Sequence, residues 1–173
     1  MLRQQIQSWI VPAAPDVPQW RVQGSLPPCF PRSLWLNFYV NNTNFDLYIP
    51  FVDHLGIQLL EKAHGRVRIR FEPRPEHLNS WKGIHGGVIM TLLDVALGSS
   101  SRALDPACNG ATTVELKANF LAGALGTVTA EGRAQRAGRS LIYAEGEVRD
   151  EQGVTLAKGS GTFKLLYPAG SRE

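Results

Sequence analysis

The chain has 173 residues, 43% of them hydrophobic. That suffices for one domain with its own core and is too little for two comfortable ones. A net charge of +3 on 19% charged residues is too small an excess to argue for nucleic acid, although it would suit an anionic ligand such as a nucleotide phosphate. Cys29 and Cys108 are the only cysteines. No C-x-x-C or His/Cys cluster accompanies them, so neither a zinc site nor a disulfide framework is expected, and a reduced cytoplasm is the default compartment. Gln4, Gln5, Gln7 and Ser8 interrupt the N-terminus, unlike a secretory signal. No apolar run is long enough to suggest a membrane span.

In chain order, Pro12, Pro15, Pro18, Pro27, Pro28 and Pro31 break any regular pattern at the start. Residues 1–44 therefore read as an irregular arm, with Trp9, Trp20, Phe30 and Trp35 as groups that could dock it on the rest. Residues 45–167 read as the domain, and 168–173 as a short tail. Leu47, Ile49, Phe51, Val52 and Leu55 predict a short helix stopped by Gly56. Strands are expected over 57–61 and 66–71. In the second, Val67, Ile69 and Phe71 alternate with Arg66, Arg68 and Arg70, the period of a half-buried strand. One long helix follows, from about Gly86 to Leu104. Further strands are expected over 113–120, 125–136, 139–150 and 154–166, joined by turns into an antiparallel meander. In the first of these, Val114, Leu116, Ala118 and Phe120 alternate with Thr113, Glu115, Lys117 and Asn119. A single helix against a large antiparallel sheet is an α+β layout.

The stretch Gly83–Ser101 reads GIHGGVIMTLLDVALGSSS, and Asp94 is its one formal charge. Its helical neighbours Met90, Thr91, Leu97 and Gly98 cannot pair with it. A helix this apolar on all sides is expected to be buried, where a carboxylate is costly unless something needs it. His85, Gly86 and Gly87 stand where the helix begins. The free N–H groups and dipole there would stabilise a carbonyl oxygen gaining negative charge during acyl transfer. Asp94 lies eight residues beyond Gly86, roughly 12 Å along a helix. One helix cannot bring both groups to one carbonyl, whereas the N-terminus of one chain and the Asp of a partner can. Two-fold assembly would make two such sites.

These residues resemble a known family. His77-x-Asn79, then Gly83-x-His85-Gly86-Gly87, then Asp94, is similar to the signature of PaaI-type hotdog thioesterases. The resemblance continues through Thr112–Leu121 and Gly146–Phe163, covering about residues 46–166. One departure is visible: Gly83 stands two residues before His85, whereas many relatives place that glycine three before. The resemblance implies a hotdog fold, one long helix wrapped by a curled antiparallel sheet, assembled as homodimers and often homotetramers. It implies hydrolysis of acyl-CoA thioesters with no cofactor or metal. The Gly86 N–H would polarise the carbonyl. Asp94 of the partner would act as base or nucleophile, Thr113 would hold the water, and Asn79 and His85 would orient substrate or carboxylate. His77 and Gly87 complete the substrate-facing stretch. Arg136 and Arg139 are the expected partners of the CoA phosphates. Two rivals stay open: a hotdog hydratase or dehydratase, which would pair a His with a carboxylate, and a non-catalytic acyl-CoA-binding module. No G-x-S-x-G elbow points to a serine hydrolase. The acyl group, aromatic or medium-chain aliphatic, is left open.

Overall fold

A computed structural model describes residues 45, 49–136 and 141–168. The arm over 1–44, Arg139 and the side chain of Arg136 lie outside the described residues. The first element is α1 (Pro50–Leu55), opened by proline and closed by Gly56 at φ 72, whose N–H bonds Asp53 and Val52 carbonyls. β1 (Gln58–Ala63) and β2 (Arg66–Phe71) form a hairpin. The alternation expected for β2 is realised, with Val67, Ile69 and Phe71 buried. On its outward side Arg66 forks onto Glu131 through Nε at 3.0 Å and Nη2 at 3.1 Å. A single 3-10 turn, Pro75–His77, leads to the long helix α2 (Gly86–Arg102), which ends two residues short of the expected Leu104. The remaining strands are β3 (Gly110–Phe120), β4 (Val128–Arg136), β5 (Leu141–Asp150) and β6 (Thr155–Leu166).

All six strands are antiparallel, in the order β1-β2-β4-β5-β6-β3. Only β4, β5 and β6 form the expected meander. β3 does not pair with β4, which follows it. It lies at the far edge against β6, so the chain crosses the sheet between Phe120 and Val128. Within the described residues, the other side of β3 has no strand partner.

A bulge in β3 decides which side chains face the helix. Thr113 pairs with Phe163 and Glu115 with Thr162, leaving Val114 without a partner. An extra residue reverses the alternation from that point. Before it, Ala111 and Thr113 face α2, and after it Leu116, Ala118 and Phe120 do. Val114 is extruded and 60% exposed.

Helix α2 buries Ile89, Leu92, Leu93, Ala96, Leu97, Ser100 and Ser101. The two serines both donate to the Leu97 carbonyl, at 2.8 and 2.9 Å, which satisfies their hydroxyls without water. The expectation of a helix buried on all sides needs correction. Met90, Thr91, Asp94, Val95, Gly98, Ser99 and Arg102 are only half-buried, because the sheet of one chain covers one side of the helix.

The helix sits close on the sheet because three glycines lie in register beneath it: Gly132 opposite Gly146, and Gly146 opposite Gly159. A Cβ at Gly132 would overlap the Ala96 carbonyl, and one at Gly159 would come within 3.0 Å of the Leu93 side chain. Overpacking of this kind typically costs about 1–3 kcal/mol. Gly132→Ala should therefore lower unfolding free energy in urea by about that amount. Gly123→Ala, where a Cβ meets nothing within 4 Å, should stay within about 0.5 kcal/mol. Equal stability of the two variants would mean that the helix does not rest on this row.

Candidate active site

The N-terminus of α2 is held by its own loop. His85 is the N-cap, and its Nδ1 accepts the Gly87 N–H at 2.9 Å. The His85 N–H donates to the His77 carbonyl at 2.9 Å. Gly86 is the first helical residue, so its N–H has no acceptor within the helix, whereas that of Gly87 is already used. The ring of Phe120, an exposed residue that the sequence pattern did not single out as functional, lies 3.6 Å from where a Gly86 Cβ would stand.

Asn79 organises the segment before the helix. Its Oδ1 accepts the N–H groups of Trp81 at 2.9 Å and Gly83 at 3.1 Å. Its backbone N–H meets the Gly83 carbonyl at 2.8 Å, and its carbonyl takes the Lys82 N–H at 3.0 Å. Lys82 adopts φ 62, the one positive φ at a non-glycine residue among those described. That backbone costs an L-residue about 1 kcal/mol or more. Gly83 is not in the left-handed region. It allows close approach instead, since a Cβ there would lie 3.3 Å from the Ala124 carbonyl.

His77 is buried at 4% exposure and packs on Phe71 with ring centroids 5.1 Å apart. Its Nδ1 accepts the Arg74 N–H at 3.0 Å, and Arg74 Nη2 stands 3.3 Å from Nε2. The ring is thus engaged within the segment that supports the site. Burial, and then the Arg74 charge, hold its pKa below the usual histidine value.

Asp94 lies on the half-open face of α2. Its Oδ1 accepts the Thr113 hydroxyl at 2.7 Å, a contact that the bulge at Val114 makes possible. The pair opens onto a cleft of about 440 Å³ whose walls include Phe51, Met90, Val95 and Leu116. The sequence does not mark these apolar walls as functional; for Met90 and Val95 the available signal is the second apolar face of α2, which reads as core. Thr91, also at the cleft, donates to the Gly87 carbonyl at 3.0 Å. The structure thus joins Asp94 with Thr113, and His77, Asn79, His85, Gly86 and Gly87 with one another. The two groups are separated by the first two turns of α2. No group of three or more His, Cys, Asp or Glu poised to hold a metal occurs among the described residues. No helix described is long and apolar enough to cross a membrane.

A sequence profile of the thioesterase superfamily matches residues 82–157, the span from the loop before α2 into β6. A candidate esterase of Saccharolobus solfataricus is 30% identical over 113 residues, covering 65% of this chain and 80% of its own. The medium/long-chain acyl-CoA thioesterase YigI of Escherichia coli is 26% identical over 137 residues, covering 70% of this chain and 88% of its own. Among solved structures, the PaaI protein of Escherichia coli, from the phenylacetic acid degradation operon, has a TM-score of 0.63 at 20% identity. That match covers 68% of this chain and 85% of PaaI. The chain belongs to the thioesterase superfamily, and its fold is the hotdog fold that PaaI also has. It is a thioester hydrolase, and the hydratase and binding-module readings give way.

Because the folded pKa of His77 is lowered, the folded state prefers the neutral ring. The associated stability is present above the ordinary histidine pKa of about 6.5 and is lost as pH falls through the lower folded value. A urea series from pH 7.5 to 5 should show acid destabilisation that is flatter in His77→Gln. An identical pH profile in the variant would assign the acid sensitivity elsewhere.

Proposed function

We propose that the protein hydrolyses acyl-CoA thioesters, with Asp94 as the reacting carboxylate and the N-terminus of α2 in a second copy of the chain as the carbonyl-polarising group. The observation that carries this reading is the Asp94–Thr113 pair at 2.7 Å, facing an apolar cleft and lying roughly 12 Å along the helix from Gly86. The carboxylate takes a proton from water, and the resulting hydroxide adds to the thioester carbonyl. The oxyanion accepts the Gly86 N–H. Collapse of the tetrahedral intermediate breaks the C–S bond, and the proton on Asp94 passes to the CoA thiolate. Thr113 fixes one carboxylate oxygen and leaves the other for the water. In the variant route, the free oxygen attacks the carbonyl directly, the C–S bond breaks and the CoA thiolate leaves. Water then opens the mixed anhydride, which restores the Asp94 carboxylate, releases the acid and supplies the thiolate's proton.

Two features support the second copy. β3 is an 11-residue strand at the edge of the sheet with Val114 exposed, the kind of edge that another strand covers. Two such edges paired about a two-fold axis would bring the open faces of two α2 helices together, the N-terminus of each beside Asp94 of the other. The walls of the cleft favour an apolar acyl group, aliphatic or aromatic, and YigI is by name an enzyme of medium- and long-chain acyl-CoA. We expect the arm over 1–44 to be dispensable for this chemistry.

Asp94→Asn should remain folded and bind substrate while its turnover falls by about 10²-fold or more. Thr113→Val should lower kcat more than it raises KM, because the carboxylate loses its orienting donor. Thiol release from a panel of acyl-CoA esters measures both. Near-normal hydrolysis by Asp94→Asn would contradict the mechanism.

A further inference from the structure

The loop tip at Trp81 and Lys82 is built as if to present those two side chains. Trp81 is 89% exposed, the most exposed of the large hydrophobic residues described. Lys82, also exposed, is held in the left-handed region although the adjacent Gly83 could adopt that conformation without cost. Four hydrogen bonds to Asn79 and Gly83 lock the tip, and the Ala124 carbonyl ties the loop's C-terminal end by accepting the Ile84 N–H at 2.8 Å. Backbone strain that surrounding bonds maintain is concentrated at functional sites. Packing does not account for the tryptophan, because almost all of its surface faces solvent.

We propose that Trp81 and Lys82 bind the nucleotide end of a coenzyme A thioester, the indole stacking on the adenine and the ammonium pairing with a phosphate. An aromatic face beside a cation is the chemistry that a purine nucleotide requires. Lys82 is four residues from Gly86, at most about 14 Å of chain, so the tip stands within reach of a pantetheine arm whose thioester lies at the helix N-terminus. Leu125, 68% exposed, follows Ala124, whose carbonyl ties this loop. This proposal rests on the acyl-CoA reading and adds to it a site that discriminates CoA esters from other thioesters of the same acid.

The test compares one acyl group carried on CoA and on N-acetylcysteamine, which lacks the nucleotide. Trp81→Ala should raise KM for the CoA ester by about tenfold, as loss of a stacked base does, with kcat unchanged. Lys82→Gly should raise KM for the CoA ester several-fold, and added salt should narrow that difference. Its melting temperature should hold or rise, since glycine relieves the strained backbone. Neither variant should change KM for the N-acetylcysteamine ester. Equal changes on both esters, or none on either, in an enzyme that prefers the CoA ester would overturn the nucleotide site and leave the acyl-CoA reading standing. A wild-type enzyme that cleaves the N-acetylcysteamine ester and not the CoA ester would overturn both.

Discussion

An α-helix rises about 1.5 Å per residue, and that constraint governs how this molecule can work. The groups proposed for acyl transfer stand at the first residue of α2 and on its third turn, with the helix itself between them. The helix is not free to bend toward either, because it lies on the glycine row of β4, β5 and β6, with Ala96 resting over Gly132. A rigid helix on a furrowed sheet thus keeps Gly86 and Asp94 apart, and the proposed mechanism answers this with a second chain.

The side of α2 that carries Asp94 is also the side that its own sheet leaves half-open. In the proposed mechanism, the same α2–β3 side of the fold joins chemistry to assembly. β3 supplies Thr113 to the carboxylate through its inward face. Its outer edge, without a strand partner among the described residues, and its extruded Val114 are the features that favour one from a second copy. One bulged residue serves both ends: it turns Thr113 toward Asp94 while Leu116 still reaches the core. A carboxylate on a half-open apolar face, fixed by one hydroxyl, retains an oxygen for water. Full burial by its own chain would have closed that face.

Much of this was legible in the sequence. The alternation of β2, the Gly56 stop, the start of α2 and the isolation of Asp94 all depend on local pattern, and local pattern is what periodicity reports. The resemblance implied that Thr113 holds the attacking water; its hydrogen bond to Asp94 of the same chain was not legible there and follows from the bulge in β3. What escaped depends on pairing between distant segments. The bulge at Val114 is a property of β3 against β6, some fifty residues on. The place of β3 at the far edge depends on which strand wins the β4–β5–β6 neighbourhood. Apolarity around α2 could not say whether its own sheet or another chain covers the second face. The three mid-strand glycines were visible as letters, but their alignment is a matter of register. At Lys82 the departure in glycine spacing is legible in the sequence, while the left-handed backbone there is not.

The most direct test of a shared site is complementation between two inactive chains. Gly86→Pro removes the N–H at the first helical position, where proline is tolerated, and His85 at φ −61, ψ 138 already has the backbone that a following proline requires. Asp94→Asn removes the carboxylate. Each variant alone should lose about 10²-fold in turnover or more. Co-expressed under different tags and isolated as mixed assemblies, the two should regain turnover approaching half that of the wild type, because one of the two sites then has both an intact Gly86 and an intact Asp94. Mixed assemblies no more active than their parents, or a fully active wild-type monomer, would contradict the account.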